Sequence, residues 1–150
     1  MKVRNRKLVL SVLVAMVSML AVAAMLSGCS KPSTMEEYCE KSPELQEQMQ
    51  SAADQLADAA NMIVPGSSSE VSVRENEFLI LVTLGPDYTG DDDGFIASAL
   101  DSTLQSYGEG GAMASAIADI EESTGISPVT FVITFQDSAG NVVATRTFTS

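Results

Sequence analysis

Two thiols and one run of carboxylates are the groups in this chain whose chemistry goes beyond packing. Cys29 closes the stretch Leu26-Ser27-Gly28-Cys29, where a long apolar run stops and a polar chain begins. A thiol in that place can be alkylated, and the small side chains around the Gly28–Cys29 bond let a peptidase reach the backbone. Cys39 stands a little further on, and the loop Asp87–Gly94, DYTGDDDG, is the densest charge cluster. The chain has no histidine, so the commonest neutral-pH general base and metal ligand is missing.

The carboxylates invite a calcium reading. A calcium loop of the EF-hand kind wants acids at positions 1, 3 and 5, Gly at 6 and Glu at 12. With Gly94 at position 6, Thr89 falls at 1, Asp91 at 3, Asp93 at 5 and Leu100 at 12, so two of the four acidic ligands are missing. Asp87, Asp91 and Asp93 are therefore only weak cation candidates, and no metal site is expected. The better reading has the aspartates capping the helix that follows, near the positive end of its dipole.

The four residues Leu26 to Cys29 resemble the lipobox of bacterial lipoproteins. The resemblance implies that the Cys29 thiol receives a diacylglyceryl group and that cleavage after Gly28 makes Cys29 the first residue. Two acyl chains meet the two-signal condition for stable attachment, at about 0.8 kcal/mol per buried methylene. The preceding sequence fits. Lys2, Arg4, Arg6 and Lys7 form a basic start, and Leu8–Leu26 is uncharged. That run exceeds the usual signal core of about 7–15 residues and just reaches the ~18 that can span a bilayer. Length alone leaves open a retained helix, and the lipobox decides for a signal peptide. On either reading the basic flank stays in the cytoplasm and the body is exported. With Cys29 consumed by lipid, Cys39 has no disulfide partner in its own chain. It reads as a packed side chain near a helix start or, more sharply, as an intermolecular disulfide or reactive thiol with no histidine to activate it.

The expected organisation is a signal peptide over residues 1–28, a polar tether over 29–34 and one domain over 35–150. All 20 acidic residues follow Cys29, against only Lys31, Lys41, Arg74 and Arg146, for a net charge of −16. Such a body is repelled by nucleic-acid phosphates and by anionic lipid headgroups, and its charge keeps a tethered domain soluble. No nucleic-acid partner is expected. Cations, a protein partner, and the bilayer reached through diacylglyceryl-Cys29 are.

The elements are legible in the spacing. Ser42-Pro43-Glu44 is a helix start, with Met35–Lys41 a turn or two before it. Leu45, Met49, Ala53, Leu56, Ala60 and Ile63 recur at helical spacing until Pro65-Gly66. Val71 and Val73 alternate, a turn forms around Asn76, and Phe78–Leu84 reads as a central strand stopped by Gly85-Pro86. A second helix starts near Phe95 and carries Ile96, Leu100, Leu104 and Tyr107, then Ala114, Ile117 and Ile120. Gly108, Gly110 and Gly111 interrupt it, at about 1 kcal/mol each against alanine, so it breaks there or lies close on the sheet. The glycines are no phosphate loop, lacking a preceding strand and a following Lys, and no cofactor is expected. Val129, Phe131, Ile133 and Phe135 alternate into the turn Asp137–Asn141 and a last strand.

The order helix, strand, strand, helix, strand, strand predicts an α+β domain. Its two layers would be a four-stranded antiparallel sheet and two helices packed on one face. The other face would show Leu79, Leu81 and Val132 and offer a partner or homodimer surface. The stretch TMEEYCEKSPELQEQM, Thr34 to Met49, together with the closing hairpin Val129–Gly140, resembles a family of small bacterial lipoproteins, domain of unknown function 4854. The resemblance covers most of Thr34–Thr149 and implies a Gram-positive cell surface and no assigned activity. It carries over no functional residue beyond Cys29. No Ser–His pair, Ser-x-x-Lys or paired acids on an evident cleft appear. The sequence therefore points to a membrane-anchored extracytoplasmic binding module rather than an enzyme.

Overall fold

The computed structural model describes residues 31–90 and 94–150. Leu26, Ser27, Gly28 and Cys29, with the run before them, and Asp91 and Asp93 lie outside the described residues.

Helix α1 spans Met35–Lys41 and α2 spans Pro43–Asn61. Two helices stand where one main helix was expected, because a proline disfavours helical geometry in the residue before it. Ser42 is pushed to φ −129° and ψ 76°, and Pro43 opens α2. Ser42 holds the N-cap position of α2 but makes no side-chain capping bond there. The capping lies at α1 instead. The Glu37 N–H donates to Thr34 Oγ1 at 3.2 Å, and the Glu37 carboxylate accepts from the Ser33 N–H at 2.8 Å. This reciprocal arrangement satisfies donors that a helix start leaves free. The Ser33 N–H first, and Lys41 second, hold the Glu37 carboxyl down at about 2 against an ordinary 4.5.

On α2 the apolar stripe Leu45, Met49, Ala53, Leu56 and Ala60 is buried as its spacing requires. The helix stops at Asn61, so Ile63 leaves the stripe and is exposed, and Val64 takes the buried place.

Strands β1 (Ser68–Arg74) and β2 (Glu77–Thr83) form a hairpin whose last pair is Arg74 with Glu77. Helices α3 (Phe95–Glu109) and α4 (Ala112–Thr124) follow, then β3 (Thr130–Gln136) and β4 (Val142–Phe148). The four strands form one sheet in the order β1-β2-β3-β4. The outer pairs are antiparallel, but β2 and β3 are parallel, with Glu77 beside Thr130 and Thr83 beside Gln136. The sheet is thus mixed rather than antiparallel throughout. The cause is the connection. Helix α3 carries the chain back along the sheet, so β3 sets off from the same end as β2.

Four helices, not two, are found among the described residues. The long helix expected after Phe95 is two because Gly111, at φ +66°, begins α4 in a left-handed conformation that a side chain resists. Gly108 remains helical and lies against the sheet, where a Cβ would sit 3.7 Å from the Phe148 ring.

One core joins the helices to the sheet. Phe78, Ile80 and Val82 of β2, and Phe131, Ile133 and Phe135 of β3, are buried with Leu45, Met49, Leu104 and Ile117. Phe78 and Phe131 stack with ring centroids 4.6 Å apart and planes at 21°. The residues between them on each strand are half-buried, the period-2 signature of a sheet covered unequally on its faces.

Candidate functional site

The described chain enters the fold at Thr34, and the junction is built by the tip of the β1–β2 hairpin. The Met35 N–H donates to Asn76 Oδ1 at 3.1 Å. The Glu36 N–H donates to the Glu75 carbonyl at 2.8 Å, and the Glu75 N–H returns to Glu36 Oε2 at 2.9 Å. The Asn76 carbonyl accepts from the Thr130 N–H at 3.0 Å, which ties the start of β3 to the same turn. A two-residue turn thus supplies acceptors for the free N–H groups of a helix start and keys it to two strands. Asn76 was legible as a turn residue. Its second role, at α1, was not, because the partners are 41 positions apart in sequence.

Asp87 is exposed on the loop after β2. Gly94 holds the N-cap position of α3 without a side-chain cap, so the expected carboxylate capping is not made from that position. Among the described residues no group of three or more His, Cys, Asp or Glu comes together as a metal site.

Cys39 is buried in the core, and burial pushes its thiol up to about 11. The thiolate is the reactive form, so this environment is the reverse of an activating one. Alkylation by iodoacetamide at pH 8 is expected to be at least ~10-fold slower in the folded chain than in denaturant. Mass-resolved labelling of the Cys39 peptide checks this, and equal rates would contradict burial.

Tyr107 is buried at the inner side of α3, and its hydroxyl has no hydrogen-bond partner. Burial drives its acidity well below that of an ordinary phenol. An unpaired buried hydroxyl costs about 1–3 kcal/mol. Tyr107→Phe is therefore expected to leave stability unchanged or to raise it by about 1 kcal/mol, read as a shift in the denaturation midpoint. A loss above 1 kcal/mol would mean that the hydroxyl has a partner.

The second sheet face carries rows that cross the strands. One is Ser72, Leu79, Val132 and Thr147, and the next is Glu70, Leu81, Thr134 and Thr145. Thr134 and Thr145 share a hydrogen bond at 2.9 Å, and Gln136 Nε2 donates to Thr83 Oγ1 at 3.0 Å. Leu79, Leu81 and Val132 are half-buried among these hydroxyls rather than laid bare.

No curated protein and no solved structure matches the chain. The family described as domain of unknown function (DUF4854) matches residues 35–148, from the first residue of α1 to the last of β4. The segment from Met35 to Phe148 that builds the core is thus what the family defines, and the chain belongs to the DUF4854 family.

Proposed function

We propose that this chain is a lipoprotein of the outer membrane face, acylated at Cys29, whose domain binds a partner and catalyses nothing. The sequence Leu26-Ser27-Gly28-Cys29 after an uncharged run carries the reading. The position of the first helix among the described residues supports it. Thr34 caps α1 directly after the short polar tether, so cleavage after Gly28 removes none of the described domain. The absence of histidine and the raised thiol pKa of Cys39 favour binding over catalysis. The single core shared by helices and alternate strand residues favours two layers, with the helices on one face of the sheet.

Mass spectrometry of the protein purified from its native membrane tests the anchor. The expected product starts at Cys29 and carries a diacylglyceryl mass, and Cys29→Ser leaves the precursor uncut. An intact Met1 with an unmodified Cys29 sulfur would overturn the reading.

A further inference from the structure

The exposed large apolar side chains of the described residues are Met62, Ile63, Phe95 and Val142, at 74, 55, 62 and 61 % exposure. Strand register places all four at one end of the sheet. Met62 and Ile63 lead from α2 into β1, whose first residue, Ser68, pairs with Thr83 at the finish of β2. Val142 opens β4 opposite Gln136, the finish of β3. Phe95 opens α3, whose other end reaches Phe148 through Gly108, so its start belongs to the same end as Val142. Thr34, Glu75 and Asn76, where the tether joins, mark the opposite end.

Exposed apolar residues scattered singly need no explanation, but these four share one end of the domain, with Met62 and Ile63 beside the β1 edge of the sheet and Val142 on its β4 edge. Charge says what they suit. Asp58 is exposed in the last turn of α2, and Asp87 is exposed after β2. No Lys or Arg stands among the described residues of that end. Lys31 and Arg74 are at the tether end, Lys41 closes α1, and Arg146 is paired with Asp101 at 3.3 Å. A second copy would bring the same carboxylates and be repelled. An anionic bilayer is disfavoured for the same reason and, on the lipoprotein reading that this inference deepens, lies at the other end.

We infer that the end carrying Met62, Ile63, Phe95 and Val142 is a docking surface for a cationic amphipathic polypeptide segment. Its apolar side chains meet the four residues, and its Lys or Arg side chains face Asp58 and Asp87. Apolar anchors supply the affinity, and the acids steer approach and reject acidic chains.

The test uses the full lipidated chain in zwitterionic nanodiscs, with empty discs as reference. The probes are a short amphipathic leucine–lysine peptide and its leucine–glutamate counterpart. Saturable binding of the lysine peptide above the empty discs is expected, and Ile63→Ser with Phe95→Ser is expected to weaken it about tenfold or more. Binding no greater than to empty discs would overturn the inference, as would equal binding by the double variant or by the glutamate peptide. The mass of the disc-bound protein reads the Cys29 anchor separately, since a chain starting at Cys29 with a diacylglyceryl mass excludes a retained helix. Protein that washes off would sink the lipoprotein reading while still reporting on peptide binding.

Discussion

Gly85→Ala is expected to destabilise the domain by about 3 kcal/mol or more, a large share of the roughly 5–15 kcal/mol that holds a domain together. A Cβ at Gly85 would sit 1.8 Å from the Pro65 carbonyl oxygen, 2.7 Å from its carbon and 3.2 Å from the Gly66 carbon. All three are backbone atoms, so no side chain can rotate away. Relief requires the α2–β1 connection to part from the end of β2. That parting breaks a small buried network, because Ser67 Oγ donates to the Val64 carbonyl at 2.7 Å and accepts from the Gly85 N–H at 3.2 Å. Urea denaturation of the variant beside Gly108→Ala checks the prediction. At Gly108 the new methyl makes an ordinary contact, and helix propensity gains up to about 1 kcal/mol, so the two alanines are expected to act in opposite directions. A Gly85→Ala midpoint equal to that of the unaltered chain would mean that the two backbones are not in contact.

Phe78→Ala is expected to cost about 3–5 kcal/mol, the range for emptying a fully enclosed aromatic site. Phe78 has no exposed surface, stacks on Phe131, and lies on the central strand β2, where helices and sheet meet. The surrounding backbone is fixed by ladders on both sides of β2, so the hole cannot collapse freely. Leu79→Ala, one residue along and half-buried on the other face, is expected to cost about 1 kcal/mol. Comparing the two denaturation midpoints checks which face holds the core. Costs of equal size would mean that both faces are covered alike. A double replacement with Phe131→Ala is expected to show a coupling of about 0.5–1.5 kcal/mol for the stacked pair.

Much of this fold was written locally. The alternation Val129-Phe131-Ile133-Phe135 and the turn at Asp137–Asn141 gave the last hairpin, and Ser42-Pro43-Glu44 gave the start of α2. Strand direction was not written in any one segment, because Phe78–Val82 alternates in the same way beside a parallel or an antiparallel neighbour. The available signal was the connection: a strand, a helix long enough to span the sheet, then a strand is the parallel arrangement. The contacts of Gly85 with Pro65, and of Asn76 with Met35, join distant positions and leave no periodic trace. For the candidate site, the proposed acylation of Cys29 rests on a short contiguous sequence, Leu26 to Cys29, and on no fold contact. The gathering of Met62, Ile63, Phe95 and Val142 was not legible, since it follows only from strand register.

The hydrogen bonds between the first turn of α1 and the hairpin tip set how the domain bears force. Tension applied through the residues before Thr34 reaches Met35 and Glu36, and from there Glu75, Asn76 and the start of β3, before it can unwind α1. The load is delivered to the central strands of the sheet, so a pull on that end of the domain is shared by the most cohesive part of the molecule instead of peeling away α1 alone.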